Sequence, residues 1–99
     1  VALLRISGLL SLERLIKIFK PSRNVAKWTP WRLRTGVLMD PLRQVEIDRG
    51  MAVWMAAPNS YTGEEAAEIS CHGSSLIVET LLKVFIENGA RLAEPGEFS

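Results

Sequence analysis

From Met51 to Ala57 the chain reads MAVWMAA, seven apolar residues in succession. Successive side chains of an extended strand point to opposite faces, so this run has no polar face to offer water. Such a strand is central in a sheet and covered on both sides, or else a second subunit covers one of its faces. A chain of 99 residues holds about one domain with a single modest core. That scarcity of covering material favours a subunit contact at this strand.

The chain is 47% hydrophobic and 23% charged, which places it among globular rather than disordered sequences. Arg, Lys or Glu interrupts every apolar run well short of the roughly 18 residues a membrane span needs. The opening VALLRISG lacks the basic start and small-residue cleavage site of a signal peptide. A single cysteine, Cys71, cannot form an internal disulfide, which suits a reducing compartment. The expectation is a soluble, cytoplasmic protein without a membrane partner. Opening on Val1 in mid-pattern and stopping at GEFS, it reads as part of a longer chain.

LLRIS is a strand candidate ended by Gly8. Leu9, Leu12, Leu15, Ile16 and Phe19 then recur at helical spacing, and Pro21 is expected to stop that helix. PSRNVAKWTP has no periodicity and reads as a surface loop. LRTGVLMD and VEIDRGMAVWMAA follow as a hairpin around Asp40–Pro41. PNSYTG is turn chemistry, AAEISCH a strand, and Ser74 or Ser75 the cap of a helix from Leu76 to about Glu87. Val78, Leu81, Leu82 and Phe85 form that helix's buried stripe, and Asn88–Gly89 its stop. ARLA closes the order β-α-β-β-β-α-β, giving an α+β fold with a mixed sheet and two helices on one side.

Charge is unevenly spread. Arg14 to Arg34 carries seven Lys or Arg and no acid, with Trp28 and Trp31 inside the segment, whereas Asp40 to Ser99 has ten acids against four bases. Such asymmetry marks either a solvated helix face with a surface loop or a nucleic-acid contact.

The stretch PNSYTGEEAAEISCHGS places acids, the one His and the one Cys between two apolar runs. If residues 66–72 are extended, Ala67, Ile69 and Cys71 share a core face while Glu68, Ser70 and His72 share the other. Cys71 and His72 then point apart and make a poor nucleophile–base pair, and Cys71 reads as a small buried hydrophobe. One Cys and one His fall short of a structural zinc set. Neither a Walker-type nor a dinucleotide-type glycine loop occurs, and no Ser–His–Asp set can be assembled. Glu68 remains either a solvated surface acid or a carboxylate placed to grip a ligand edge that offers two N–H donors.

RISG at Arg5–Gly8, IDRGMAVW at Ile47–Trp54, APNSYTGEE, EISCHG and GARLAEPGEF together resemble the N-terminal domain of the MnmE (TrmE) family, GTPases that modify the wobble uridine of certain tRNAs. The likeness is dense from Gly36 to Ser99 and thin from Leu9 to Arg34; HGS, GEFS and EEAAE stand for the family's HGG, GEFT and EDVVE. It implies that residues 1–99 are a folate-binding and dimerisation domain, similar to the folate-binding domain of aminomethyltransferases. Helical and GTPase domains, the latter using GTP, magnesium and potassium, would lie outside this chain. The cofactor implied is 5-formyl- or 5,10-methylene-tetrahydrofolate. The partners implied are a second copy of the chain, the flavoprotein MnmG, and tRNA, modified at carbon 5 of the uridine. By motif, Arg5 and Glu68 are the implied folate contacts, with a third, a lysine, beyond Ser99 and with residues 58–63 shaping the pocket wall. Glu68 is expected to matter more than Glu64 or Glu65, at the turn and the strand entrance. The parent is implied to be a GTP-hydrolysing, tRNA-modifying enzyme and this chain alone to be inactive. The alternative is a dimerisation scaffold, or a tRNA-contacting module, without a ligand of its own.

Overall fold

The computed structural model describes residues 1–57 and 64–92. In it the elements run β1 (Ala2–Ser7), α1 (Ser11–Ile18), β2 (Phe19–Pro21), β3 (Arg34–Asp40), β4 (Val45–Met55), β5 (Ala66–Cys71), α2 (Ser75–Glu87) and β6 (Arg91–Leu92). The strands form one sheet in the order β2-β3-β4-β5-β1-β6, so the strand with two apolar faces is internal, one of the two arrangements its sequence allows. Residues 58–63, expected as a turn, and the tail from residue 93 lie outside the described residues.

Every described strand pair is antiparallel, which corrects the expected mixed sheet. Each helix does join strands that run the same way, α1 linking β1 to β2 and α2 linking β5 to β6. Other strands stand between the members of each pair: β1 separates β5 from β6, and three strands separate β1 from β2. No parallel ladder can form between strands that are not neighbours.

One sheet face carries Leu4, Ile6, Phe19, Leu38, Ala52, Ala67, Ile69 and Cys71, joined in a single core to Leu15 and Ile18 of α1 and Leu81, Val84 and Phe85 of α2. Both helices therefore pack on this inner face, and the opposite face is the outer one. α2 buries the expected stripe with Val84 added. It ends as its sequence predicts: Gly89, at φ +87°, donates its N–H to Ile86 and Ala90 donates to Phe85, the paired bonds of a left-handed glycine cap.

α1 departs from the sequence reading. It buries Ser11, Leu15 and Ile18, while Leu9 and Ile16 are exposed. Phe19 does not extend the helix but starts β2, an edge strand paired through Phe19↔Leu38, Lys20↔Val37 and Pro21↔Gly36. Proline disfavours helical backbone at the residue before it and is tolerated on a sheet edge. The N-terminus of α1 is satisfied from far away, since the Glu65 carboxylate accepts the Leu12 amide at 2.7 Å. The negative charge also complements the helix dipole.

The β3–β4 hairpin is as expected. At its tip the buried Asp40 carboxylate accepts the Leu42 and Arg43 amides at 2.9 and 3.1 Å and the Arg43 guanidinium at 2.7 Å. Arg43 reaches on to Glu87 of α2 at 3.1 Å, tying the hairpin to the second helix. Within the hairpin Gly36 faces Gly50. A Cβ at Gly50 would run into the backbone carbonyl of Ser70 on β5, so only glycine lets these strands approach so closely.

Two outcomes follow from this packing. Gly50→Ala should destabilise the chain by about 1–3 kcal/mol, the usual cost of forcing atoms into a filled space, read as a lowered urea midpoint. The Arg43 side chain, opposed by burial and aided by the two amides, holds the Asp40 pKa below its ordinary value. A depressed carboxylate stabilises the fold above its unfolded pKa of about 3.9 and loses that contribution as pH falls through the folded value. Thermal unfolding from pH 6 downward should show this acid loss, and Asp40→Asn should flatten it.

Candidate functional site

Three rows of residues cross the outer face where β1, β5 and β4 lie side by side. Residues directly opposite in an antiparallel ladder share a face, so the registers set the rows as Leu3–Ser70–Met51, Arg5–Glu68–Val53 and Ser7–Ala66–Met55. The first row is open, with Leu3 62% and Met51 40% exposed; the third is closed, with Ser7, Ala66 and Met55 all buried. Arg5 and Glu68 stand between the open and closed ends.

The sequence singled out these two residues separately, and the fold brings them together as direct cross-strand partners. The Arg5 guanidinium donates to Glu68 Oε2 from Nη2 at 2.5 Å and from Nε at 3.1 Å. Their side chains keep 18% and 23% of their exposure, so the pair is shielded without being sealed. Both bonds fall on one oxygen. Among the described residues Glu68 Oε1 has no hydrogen-bond partner, and a carboxylate oxygen can accept two. The arrangement therefore leaves one acceptor for an outside N–H and holds the guanidinium plane fixed beside it. A two-oxygen grip, the form expected from sequence, would require Arg5 to share or release Oε2.

Cys71 lies on the inner face with Ala67 and Ile69, as expected, and is a free buried thiol. Burial, reinforced by the nearby Asp48 charge, pushes its pKa up, which keeps it protonated and unreactive at neutral pH. His72 does not continue the polar row. β5 ends at Cys71, and the Asp48 carboxylate takes both the His72 amide at 2.9 Å and the ring Nδ1 at 2.9 Å. Burial raises the Asp48 pKa, but the His72 and Arg49 amides and the His72 ring outweigh it and leave the group below its ordinary value. This pair ties His72, just past the end of β5, to Asp48 of β4. Among the described residues no three His, Cys, Asp or Glu side chains cluster as a metal site.

Glu65, expected only as a strand-entrance acid, instead caps α1, and its carbonyl accepts the Gly8 amide at 2.9 Å. No local pattern announces this, because cap and helix are 53 positions apart. Ser7, Val53 and Ala66, which border the Arg5–Glu68 pair, were also missed. Strand alternation alone places Ala66 beside Glu68, whereas Ser7 and Val53 come from strand pairings that the sequence does not state. Among the described residues no helix is long and apolar enough to cross a membrane.

The family model described as "GTP-binding protein TrmE N-terminus" matches residues 1–99. A tRNA modification GTPase MnmE of Synechococcus sp. (strain JA-2-3B'a(2-13)) is 44% identical over 99 residues, covering 100% of this chain and 21% of the relative. The protein of the same name from Syntrophus aciditrophicus is 42% identical over 99 residues, again across all of this chain and 21–22% of each such relative. That from Moorella thermoacetica is 37% identical over 101 residues. The chain thus spans about a fifth of the length of the relatives it matches. With the match running from the first residue to the last, the chain belongs to the TrmE N-terminus family, the domain shared with tRNA modification GTPases.

Proposed function

We propose that the row Arg5–Glu68–Val53 holds the pterin end of 5-formyl- or 5,10-methylene-tetrahydrofolate, and that the domain pairs with a second copy of itself. On this reading it serves a longer protein that acts with the flavoprotein MnmG on carbon 5 of the wobble uridine of tRNA. GTP, magnesium and potassium would serve a GTPase domain beyond this chain.

The observation that carries the folate reading is the cross-strand Arg5–Glu68 pair with its remaining acceptor. A pterin presents an aminopyrimidine edge with adjacent N–H donors and a carbonyl. Glu68 Oε1 accepts one such donor, while Arg5, planar and permanently charged, donates to a folate carbonyl or carboxylate. Val53 gives the row an apolar end against which a flat ring can rest. The donor set therefore fits the group. When bound, the folate supplies a one-carbon unit; the chain's residues bind and orient it and do not take part in the transfer.

The pairing reading rests on the open end of the same face. Ala52 and Met55 of the apolar run are buried within the domain, but Met51 and Leu3 remain exposed on either side of Ser70 in the open row. A two-fold contact places the same patch on both copies, and apolar residues suit its centre.

Glu68→Gln keeps the side-chain shape and removes the charge. It should weaken 5-formyl-tetrahydrofolate binding about tenfold to a hundredfold, corresponding to roughly 1.5–3 kcal/mol for a charged hydrogen bond. Glu64→Ala should leave binding near wild type. Calorimetric titration of the full chain provides the test, and equal affinities for wild type and Glu68→Gln would sink the folate assignment. Sedimentation at tens of micromolar, roughly where such a contact is populated, should show a dimer that Met51→Lys weakens; a strict monomer would leave the pairing reading without support.

A further inference from the structure

Where β2 ends and β3 begins, an opening of about 250 Å3 is lined by Ser22, Arg23, Arg32, Arg34 and Thr35 among others. Its walls come from two separate limbs of the chain, and the end of the strand ladder pins them together. The Ser22 amide donates to the Thr35 carbonyl at 2.9 Å, and the next pair inward is Pro21↔Gly36. A Cβ at Gly36 would run into the Lys20 carbonyl, so the limbs approach as closely as glycine permits.

Arg34 is also fixed from the core side. Its guanidinium lies over the Trp28 ring at 5.3 Å, and Trp28 meets the fully buried Phe19 edge-on at 6.0 Å. The Arg34 Nε is shut off from solvent without a hydrogen-bond partner, while its two terminal nitrogens stay open to solvent. Among the described residues none of Arg23, Arg32 and Arg34 pairs with a carboxylate. No acid occurs from Arg14 to Arg34 to supply a local counter-charge. The Ser22 and Thr35 hydroxyls likewise make no hydrogen bond among the described residues.

Three like charges around one small space repel one another, and an anion that enters relieves that repulsion. The guanidinium fork matches carboxylate and phosphate oxygens alike. Here, however, donors stand on both walls, which favours an ion with acceptors on several sides. A terminal phosphate group carries three strong acceptor oxygens and a charge of about −1.5 to −2 at neutral pH. A carboxylate brings one charge and two oxygens, and a phosphodiester has substituents on two of its four corners. We propose that this opening binds inorganic phosphate or the terminal phosphate of a small phosphomonoester. Arg34 is the fixed cation of the site, with Arg23 on the facing limb and Arg32 beside it. The site shares no residue with the Arg5–Glu68 row and does not rest on the folate reading.

The test is thermal unfolding of the full chain at constant ionic strength, with inorganic phosphate or glycerol 3-phosphate replacing chloride. An ion that binds only the folded chain raises the midpoint as its concentration rises. Either ion doing so supports the proposal, and the tighter of the two identifies the source of the phosphate. Arg23 and Arg32 are exposed, so Arg23→Gln and Arg32→Gln leave the core untouched, and their own unfolding transitions confirm that they fold. In a phosphorus NMR titration each should weaken phosphate binding about tenfold, the loss of one charged hydrogen bond. Lys27→Gln removes an exposed charge from the same basic segment outside the opening. It should change affinity less than about twofold, the residual effect of a screened charge. No rise in midpoint beyond that in chloride, or equal losses for Lys27→Gln and Arg23→Gln, would overturn the proposal. Acetate or dimethyl phosphate binding as tightly as phosphate would overturn the choice of a terminal phosphate.

Discussion

Six consecutive residue pairs, from Ala2↔Cys71 to Ser7↔Ala66, zip β1 onto β5. A slip of one residue would turn every β1 side chain to the other face. Leu4 and Ile6 would leave the core, and the Arg5 guanidinium would enter it with no partner, at the high cost of burying an unpaired charge. The apolar alternation of β1 and the single charge within it thus enforce the same register. β1 in turn offers its other edge to β6, so the end of the described sheet is built on this pairing as well.

The same register sets the electrostatics of the outer face. A fully exposed ion pair contributes little, and a fully dry one loses in desolvation much of what attraction returns. Arg5 and Glu68 sit between these limits, in a row with a closed neighbour on one side and an open one on the other. Their geometry is preorganised and still reachable from solvent. Arg34 shows a contrasting solution, in which an aromatic face rather than a carboxylate holds the cation. The Arg5–Glu68 pair is locally neutral, whereas Arg34, over the Trp28 ring at 5.3 Å, has no carboxylate partner among the described residues.

What was legible in the sequence was local. The hairpin at Asp40–Pro41, the stripe and glycine stop of α2 and the core side of β5 all follow from alternation, helical spacing or turn residues within a few positions. Arg5 and Glu68 were found by motif resemblance, but their contact with each other was not. It depends on pairing strands 63 positions apart. The antiparallel order was hidden for a related reason: a strand–helix–strand sequence looks the same whether its strands become neighbours or a third strand enters between them. β2 was missed because Phe19 continues the apolar period of α1, and the change to extended backbone is imposed by pairing with β3. His72 was misplaced because strand alternation carries no information about the Asp48 carboxylate that captures it.

The late partnering of β1 has a consequence for synthesis on the ribosome. Among the described strands β1 leaves the ribosome first, yet its hydrogen-bonding partner is complete only at Cys71 and its second neighbour at Leu92. α1 likewise waits for Glu65 to cap it. The β2–β3–β4 ribbon, made of near neighbours, can form first, while Leu4 and Ile6 remain uncovered in the nascent chain. Long-range pairing of this kind slows folding and exposes apolar strands to misassociation. The chain's vulnerable interval is therefore the time taken to make the residues between β1 and β5, and the Arg5–Glu68 contact is assembled only when that interval closes.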